Sequence, residues 1–252
     1  MSTLKNYPER LFTNNVYETK VVDLDQLNEL MSSKLLENKN NYLFRGHRRS
    51  DWGLKPTLYR GSDIDYIMID EPELLNKFRR NLLGRRGDNP RNLNDVELFS
   101  LGQHFGLNTP LLDWSNSIYV ALFFAFATYK PEATETRVIY GIHRKRLEIF
   151  AEGKKDFPIQ FIEPQIDENK RLISQNGAFT FFRSNIEVES WIRSLNYPYK
   201  NKFLLLKLHI EDKSRIKILK QLNWMNINYL TLFPDVYGAA LHTNLQSEIS
   251  GY

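Results

Sequence analysis

The chain has 252 residues, 42% of them hydrophobic and 25% charged, which suffices for one large domain or two small ones with a substantial core. It contains no Cys, so thiol nucleophiles, disulfides, iron–sulfur clusters and zinc–thiolate sites are excluded, and a reducing cytoplasm is the expected setting. The net charge of +4 favours anionic partners such as nucleotides or nucleic acid, but it falls short of the concentrated charge of a dedicated DNA binder.

Residues 1–20 are polar and aperiodic and read as a loose arm preceding one domain over 21–252. From Val22 to Leu36 the apolar positions Leu24, Leu27, Leu30, Met31 and Leu35 recur at helical spacing. Tyr42–Gly46 reads as a short strand ending at glycine, followed by an irregular stretch held by Trp52, Pro56 and Tyr59. Glu71–Leu83 is a helix opened by Pro72, and Asp95–Phe105 a third with Asn94 as its N-cap. Leu107–Asp113 is a short apolar segment. Ser115 or Ser117 then caps a helix running to Tyr129 that is apolar nearly all round, hence central. That helix falls well short of the roughly 20 apolar residues a membrane span requires, and MSTLKNYPER lacks the h-region of a signal peptide.

Arg137–His143 alternates as a strand does, while residues 144–170 are charged and resist assignment. Arg171–Gln175 is a helical turn before a strand at Ala178–Arg183, and KFLLLKLHI at 202–210 is a buried strand. A basic helix at Ser214–Met225 and a last helix at Asp235–Leu245 follow. Helices and strands mix without a βαβ rhythm, so the expected fold is a single α+β domain with a central β-sheet and flanking helices.

Two stretches set charge beside core, YLFRGHRRSDWGLKPTLYR at 42–60 and QHFGLNTPLLDWSNSIYVALFFAFA at 103–127. A charge in such a place must be paired or held at the mouth of a cleft. Arg45 has the planar fork that suits phosphate or carboxylate, or else forms an internal pair with Asp113 or Asp51. Gly46 admits a ligand or another backbone closely. His47 and His104 serve as base, as ligand-orienting donors or as structural histidines, and their spacing gives no metal site. Asp113 and Ser115 either cap the apolar helix or line a cleft at its positive N-terminus, with Trp114 stacking on a planar ring or joining the core. Arg79, Arg80, Arg85 and Arg86 form a basic cluster that is a solvated helix end or a nucleic-acid patch. Phosphate-loop, dinucleotide, serine-hydrolase and zincin motifs do not occur.

These residues resemble the FRG domain family, through Phe44-Arg45-Gly46, LKPTLYR at 54–60, QHFGLNTPLLDWS at 103–115, ALFFA at 121–125, RLISQNGAF at 171–179 and LFPDVYGAA at 232–240. Pro110 stands where the family usually has arginine, and Ser115 where it usually has threonine. The resemblance implies a setting of phage–host conflict. A further fold-level resemblance, to mono-ADP-ribosyltransferases, implies a cleft for NAD. In that scheme Arg45, Asp113 and Asp235 are catalytic, and Gly46, His47, His104, Thr109, Trp114, Ser115 and Gln175 line the NAD pocket. The implied activity is ADP-ribose transfer to a macromolecule. The alternatives are a non-catalytic module recognising a nucleotide, nucleic acid or phage protein, and a nuclease built on His47, His104 and the basic cluster.

Overall fold

The computed structural model describes residues 11–36, 38–60, 70–86, 92–128, 136–155, 157–163, 170–184 and 186–252. An eight-stranded sheet runs through them in the order β1-β2-β8-β5-β3-β4-β7-β6. Its strands are β1 (Leu11–Thr13), β2 (Val16–Val21), β3 (Tyr42–His47), β4 (Leu111–Ser115), β5 (Thr136–His143), β6 (Ile159–Ile162), β7 (Gly177–Phe182) and β8 (Leu205–Glu211). Only β2 and β8 pair in parallel; the other neighbours are antiparallel. The fold is thus α+β, as expected.

The loose arm expected over 1–20 is corrected from residue 11 onward. Leu11–Thr13 and Val16–Val21 form a hairpin whose second strand docks on β8, with Val16 opposite Leu205 and Val21 opposite Ile210. The turn between them places Asn14 and Asn15 at positive φ, a backbone asparagine tolerates well. Asn15 then donates to the carbonyls of Ile192 and Leu195, tying the hairpin to the rest of the fold. The polar sequence concealed this because the strand's partner lies almost 190 residues away.

One face of the sheet carries the main core. The helix α4 (Ile118–Phe126) lies on it, with α1 (Leu24–Ser32), α8 (Arg215–Trp224) and α10 (Val236–Glu248) around it. Seven of the nine residues of α4 are buried, so it has no solvated side. Its last carbonyls therefore need internal donors. Arg137, on β5, donates to the Ala125 and Thr128 carbonyls, and Arg215, on α8, to those of Phe126 and Ala127. Both guanidiniums are buried and paired, with Asp212 and Glu248 respectively, and their charge complements the negative end of the helix.

The opposite face packs α5 (Arg144–Ala151) and α7 (Val188–Ser194) through Leu147, Val188 and Ile192 against Leu43, Trp114, Tyr140 and Phe182. A third, smaller cluster joins α2 (Glu71–Asn81) and α3 (Asp95–His104) to β4 and β7 through Leu75, Phe99, Leu111 and Phe181. Two short helices, α6 (Lys170–Ser174) and α9 (Tyr229–Leu232), close the end near β7. Among the described residues no helix is long and apolar enough to cross a membrane.

Candidate ligand cleft at the parting of two strands

The strands β3 and β4 are neighbours that barely touch. Their ladder is the single pair Phe44 opposite Ser115, whereas β3 pairs with β5 over six residues and β4 with β7 over five. Beyond that pair the two strands part, and Arg45 bridges the gap. Its Nη1 donates to the Asp113 main-chain carbonyl at 2.7 Å and lies 3.4 Å from Asp113 Oδ2. The opening thus occurs where both charge-beside-core stretches meet.

Arg45 is also held from its other side. Its Nε donates to His47 Nε2 at 3.0 Å, and His47 Nδ1 lies 3.2 Å from the Trp52 carbonyl. The two contacts assign the tautomer: Nδ1 carries the proton and Nε2 is the acceptor. Burial, and next the charge of Arg45, push the His47 pKa down to about 3, so the ring stays neutral. His47 is therefore an orienting acceptor for Arg45. Arg45 Nη2 has no hydrogen-bond partner among the described residues, and the side chain is 18% exposed.

Two adjoining cavities share Arg45, Gly46 and Phe124 in their walls. The larger, about 680 Å³, is bounded by the loop 48–60 and carries Arg48, Lys55 and Arg60 besides Arg45. Of its two carboxylates, Asp51 is paired with Arg49 at 2.5 Å. Burial, and then the neighbouring Arg45 charge, hold the Arg60 pKa below its ordinary value. Trp52 contributes an indole that is 39% exposed, with the Arg48 guanidinium 4.7 Å from its ring centroid. The smaller cavity, about 270 Å³, lies between β4 and α4 and holds Asp113 and Gln175.

A polar chain fixes Asp113 without burying it. Gln103 Nε2 donates to Asp113 Oδ1 at 2.5 Å, and the buried Thr109 hydroxyl donates to Gln103 Oε1. Thr57 Oγ1 accepts from the Thr109 amide at 3.1 Å, so the 103–113 segment is sewn to the 54–60 segment. Asp113 itself is 61% exposed, so its proximity to Arg45 positions more than it stabilises.

The remaining sequence-based candidates fall into two groups. Gly46, Ser115 and Gln175 border the smaller cavity but with structural duties as well. A Cβ at Gly46 would lie 1.9 Å from the Ala121 carbonyl oxygen, so the glycine admits α4, the backbone alternative of the two expected. Ser115 Oγ donates to the Gln175 carbonyl at 2.7 Å and accepts from the Ser117 amide, while Ser117 caps α4. Gln175 Nε2 donates to the Leu232 carbonyl.

The other group has its side chains committed elsewhere. Trp114 borders the smaller cavity, but its ring packs in the second core cluster and its Nε1 donates to Thr180 Oγ1 at 2.8 Å, so the indole is a core group. Thr109 is fully buried and acts through Gln103. Asp235 caps α10 through the Gly238 amide and pairs with Arg171 at 2.6 Å; it borders neither cavity. His104 belongs to this second neighbourhood. Its pKa is lowered by burial and then by Arg171, against Asp235. In the basic cluster, Arg79 pairs with Asp95 and Arg85 donates to the Asn81 and Leu83 carbonyls at its own helix end. None of its four arginines borders either cavity.

Sequence reading overlooked Arg48, Lys55, Arg60 and Glu187 as cavity residues. The signal for two of them was present, since Lys55 and Arg60 stand in the LKPTLYR block. No group of His, Cys, Asp and Glu suited to a metal ion occurs among the described residues. No curated protein and no solved structure matches the chain, so the expected likeness to mono-ADP-ribosyltransferases finds no support there. Residues 40–134, which run from β3 through α4 and include the Phe44-Arg45-Gly46 tripeptide, match the FRG domain.

Proposed function

We propose that the cleft binds a phosphate-bearing nucleotide, with NAD as the candidate ligand. The observation that carries this reading is the position of Arg45, held by His47 and by the Asp113 carbonyl at the junction of two cavities. A guanidinium fixed by two of its nitrogens keeps an edge for an oxyanion and needs little reordering on binding. Lys55 and Arg60 add charge for further phosphate oxygens, and the Trp52 indole offers a face for a planar base. A ligand with a phosphate centre and a ring at each end fits two lobes joined at a cation.

A second reading, transfer of ADP-ribose to a macromolecule in phage–host conflict, is favoured by the Asp113 carboxylate in the smaller lobe. There the bond between nicotinamide nitrogen and ribose carbon would break, with the electron pair leaving on nicotinamide. A nucleophile on the acceptor would bond to that carbon, and its proton would pass to the carboxylate.

Calorimetric titration with NAD, ADP, AMP and inorganic phosphate tests the binding reading, and chromatography of free nicotinamide tests transfer. Binding of NAD or ADP above phosphate supports the first. Binding with no nicotinamide release removes the second. No heat with any nucleotide overturns both.

A further inference from the structure

The larger cavity contains one carboxylate that its charged surroundings do not explain. Glu187, at the start of α7, lies among Arg45, Arg48, Lys55 and Arg60, yet pairs with no cation among the described residues. It does not cap its helix either, although it occupies the N-cap position. Ser190 Oγ donates to Oε1 at 3.0 Å, which fixes the carboxylate plane and leaves Oε2 without a described partner. Oε2 occupies the space beside Gly53, where a Cβ would lie 1.6 Å away. The glycine therefore makes room for this oxygen next to Trp52. The Val188 amide donates to the Leu54 carbonyl at 2.9 Å, holding the start of α7 against the same loop.

We infer that Glu187 is the specificity-determining residue of this lobe, accepting a hydrogen bond from a neutral donor on the ligand and rejecting a further phosphate there. The inference rests on the nucleotide reading above and names what the ligand carries at the Trp52 end. A fixed anionic acceptor beside a stacking surface discriminates strongly, because a ligand lacking the donor leaves the carboxylate unpaired and one bearing phosphate meets like charge. Two parts of a nucleoside supply such a donor, the ribose hydroxyls and an exocyclic base amine.

Titration of the full chain with NAD, NADP and the hypoxanthine analogue of NAD separates them. NADP replaces a ribose hydroxyl by phosphate, and the analogue lacks the base amine. Wild-type protein is expected to bind one of the two at least about tenfold more weakly than NAD. Glu187→Ala should erase most of that preference. Gly53→Ala, which displaces the carboxylate without removing it, should erase it as well, and thermal melting shows that each variant is folded. Equal binding of all three ligands by wild type overturns the inference and leaves nucleotide binding standing, as does a folded Glu187→Ala protein that keeps the preference. Absence of NAD binding by wild type overturns the nucleotide reading itself, and this inference with it.

Discussion

Arg45 Nη1 donates to the main-chain carbonyl of Asp113 at 2.7 Å, across the point where β3 and β4 cease to pair. A side chain thus spans a gap that backbone ladders close elsewhere in the sheet. The same contact joins the Phe44-Arg45-Gly46 tripeptide to the QHFGLNTPLLDWS block, two segments separated by 68 positions at this bond. It explains why charge stands beside core in both.

The protonation of the buried histidines sets an acid limit on stability. Burial and neighbouring arginines push the pKa of His47 down to about 3 and that of His143 to about 4, from an ordinary 6.5. The unfolded chain therefore takes up protons that the fold refuses. The stabilisation is fully present above pH 6.5 and is lost as pH falls toward the folded values. Between pH 7 and pH 5 each histidine should cost about 2 kcal/mol. Urea unfolding at the two pH values checks this, and His47→Gln should shrink the difference by about half. A wild-type difference near zero would contradict it.

Gly46→Ala should destabilise the protein by about 3 kcal/mol or more, because the new methyl meets the Ala121 carbonyl and the Ala125 amide nitrogen, which are helix backbone. Gly84→Ala provides the contrast. Gly84 has φ of 71° and no atom near its Cβ position, so only backbone strain opposes the change, about 1 kcal/mol. Denaturant melts of the two variants should differ clearly. Equal losses would mean that α4 yields to the methyl.

Trp114→Phe should lower stability by about 1–3 kcal/mol, through a lost hydrogen bond to buried Thr180 and a smaller ring in the core. It should leave nucleotide affinity within about twofold, since the ring is packed in the core and its Nε1 is taken by Thr180. Calorimetry on the folded variant decides. A tenfold loss of affinity at unchanged stability would return Trp114 to the ligand.

Asp235→Ala should lower the melting temperature by loosening the start of α10 and freeing Arg171, and should leave NAD affinity unchanged. A loss of binding would instead join this second polar neighbourhood to the cleft.

Four of the eight strands and most of the longer helices were legible because their signals are local. Tyr42–Gly46 is a short apolar run that stops at glycine, and the structure extends that strand by only His47. Asn94 caps Asp95–His104 through a full capping box, as the Asn-x-x-Glu pattern indicates. What stayed hidden depends on distant partners. The helix Val188–Ser194 and the strand Ile159–Ile162 are short and take their place from contacts with β2 and β7. Asp113–Ser115 read as a helix entrance because Ser115 resembles a cap, but the segment is strand β4 and Ser117 is the cap. Trp114 and Asp235 carry no local mark of core or cleft. Thr180 and Arg171, which decide their roles, lie 66 and 64 positions away.

The central claim is that Arg45 is the cleft's phosphate anchor, and titration of NAD into wild-type and Arg45→Lys protein, side by side at low salt, tests it most directly. Lysine keeps the charge but cannot reach His47, the Asp113 carbonyl and a ligand oxygen together. Wild type should bind NAD, and the lysine variant, unfolding cooperatively, should bind about tenfold or more weakly. Equal affinity in the two proteins would contradict the account.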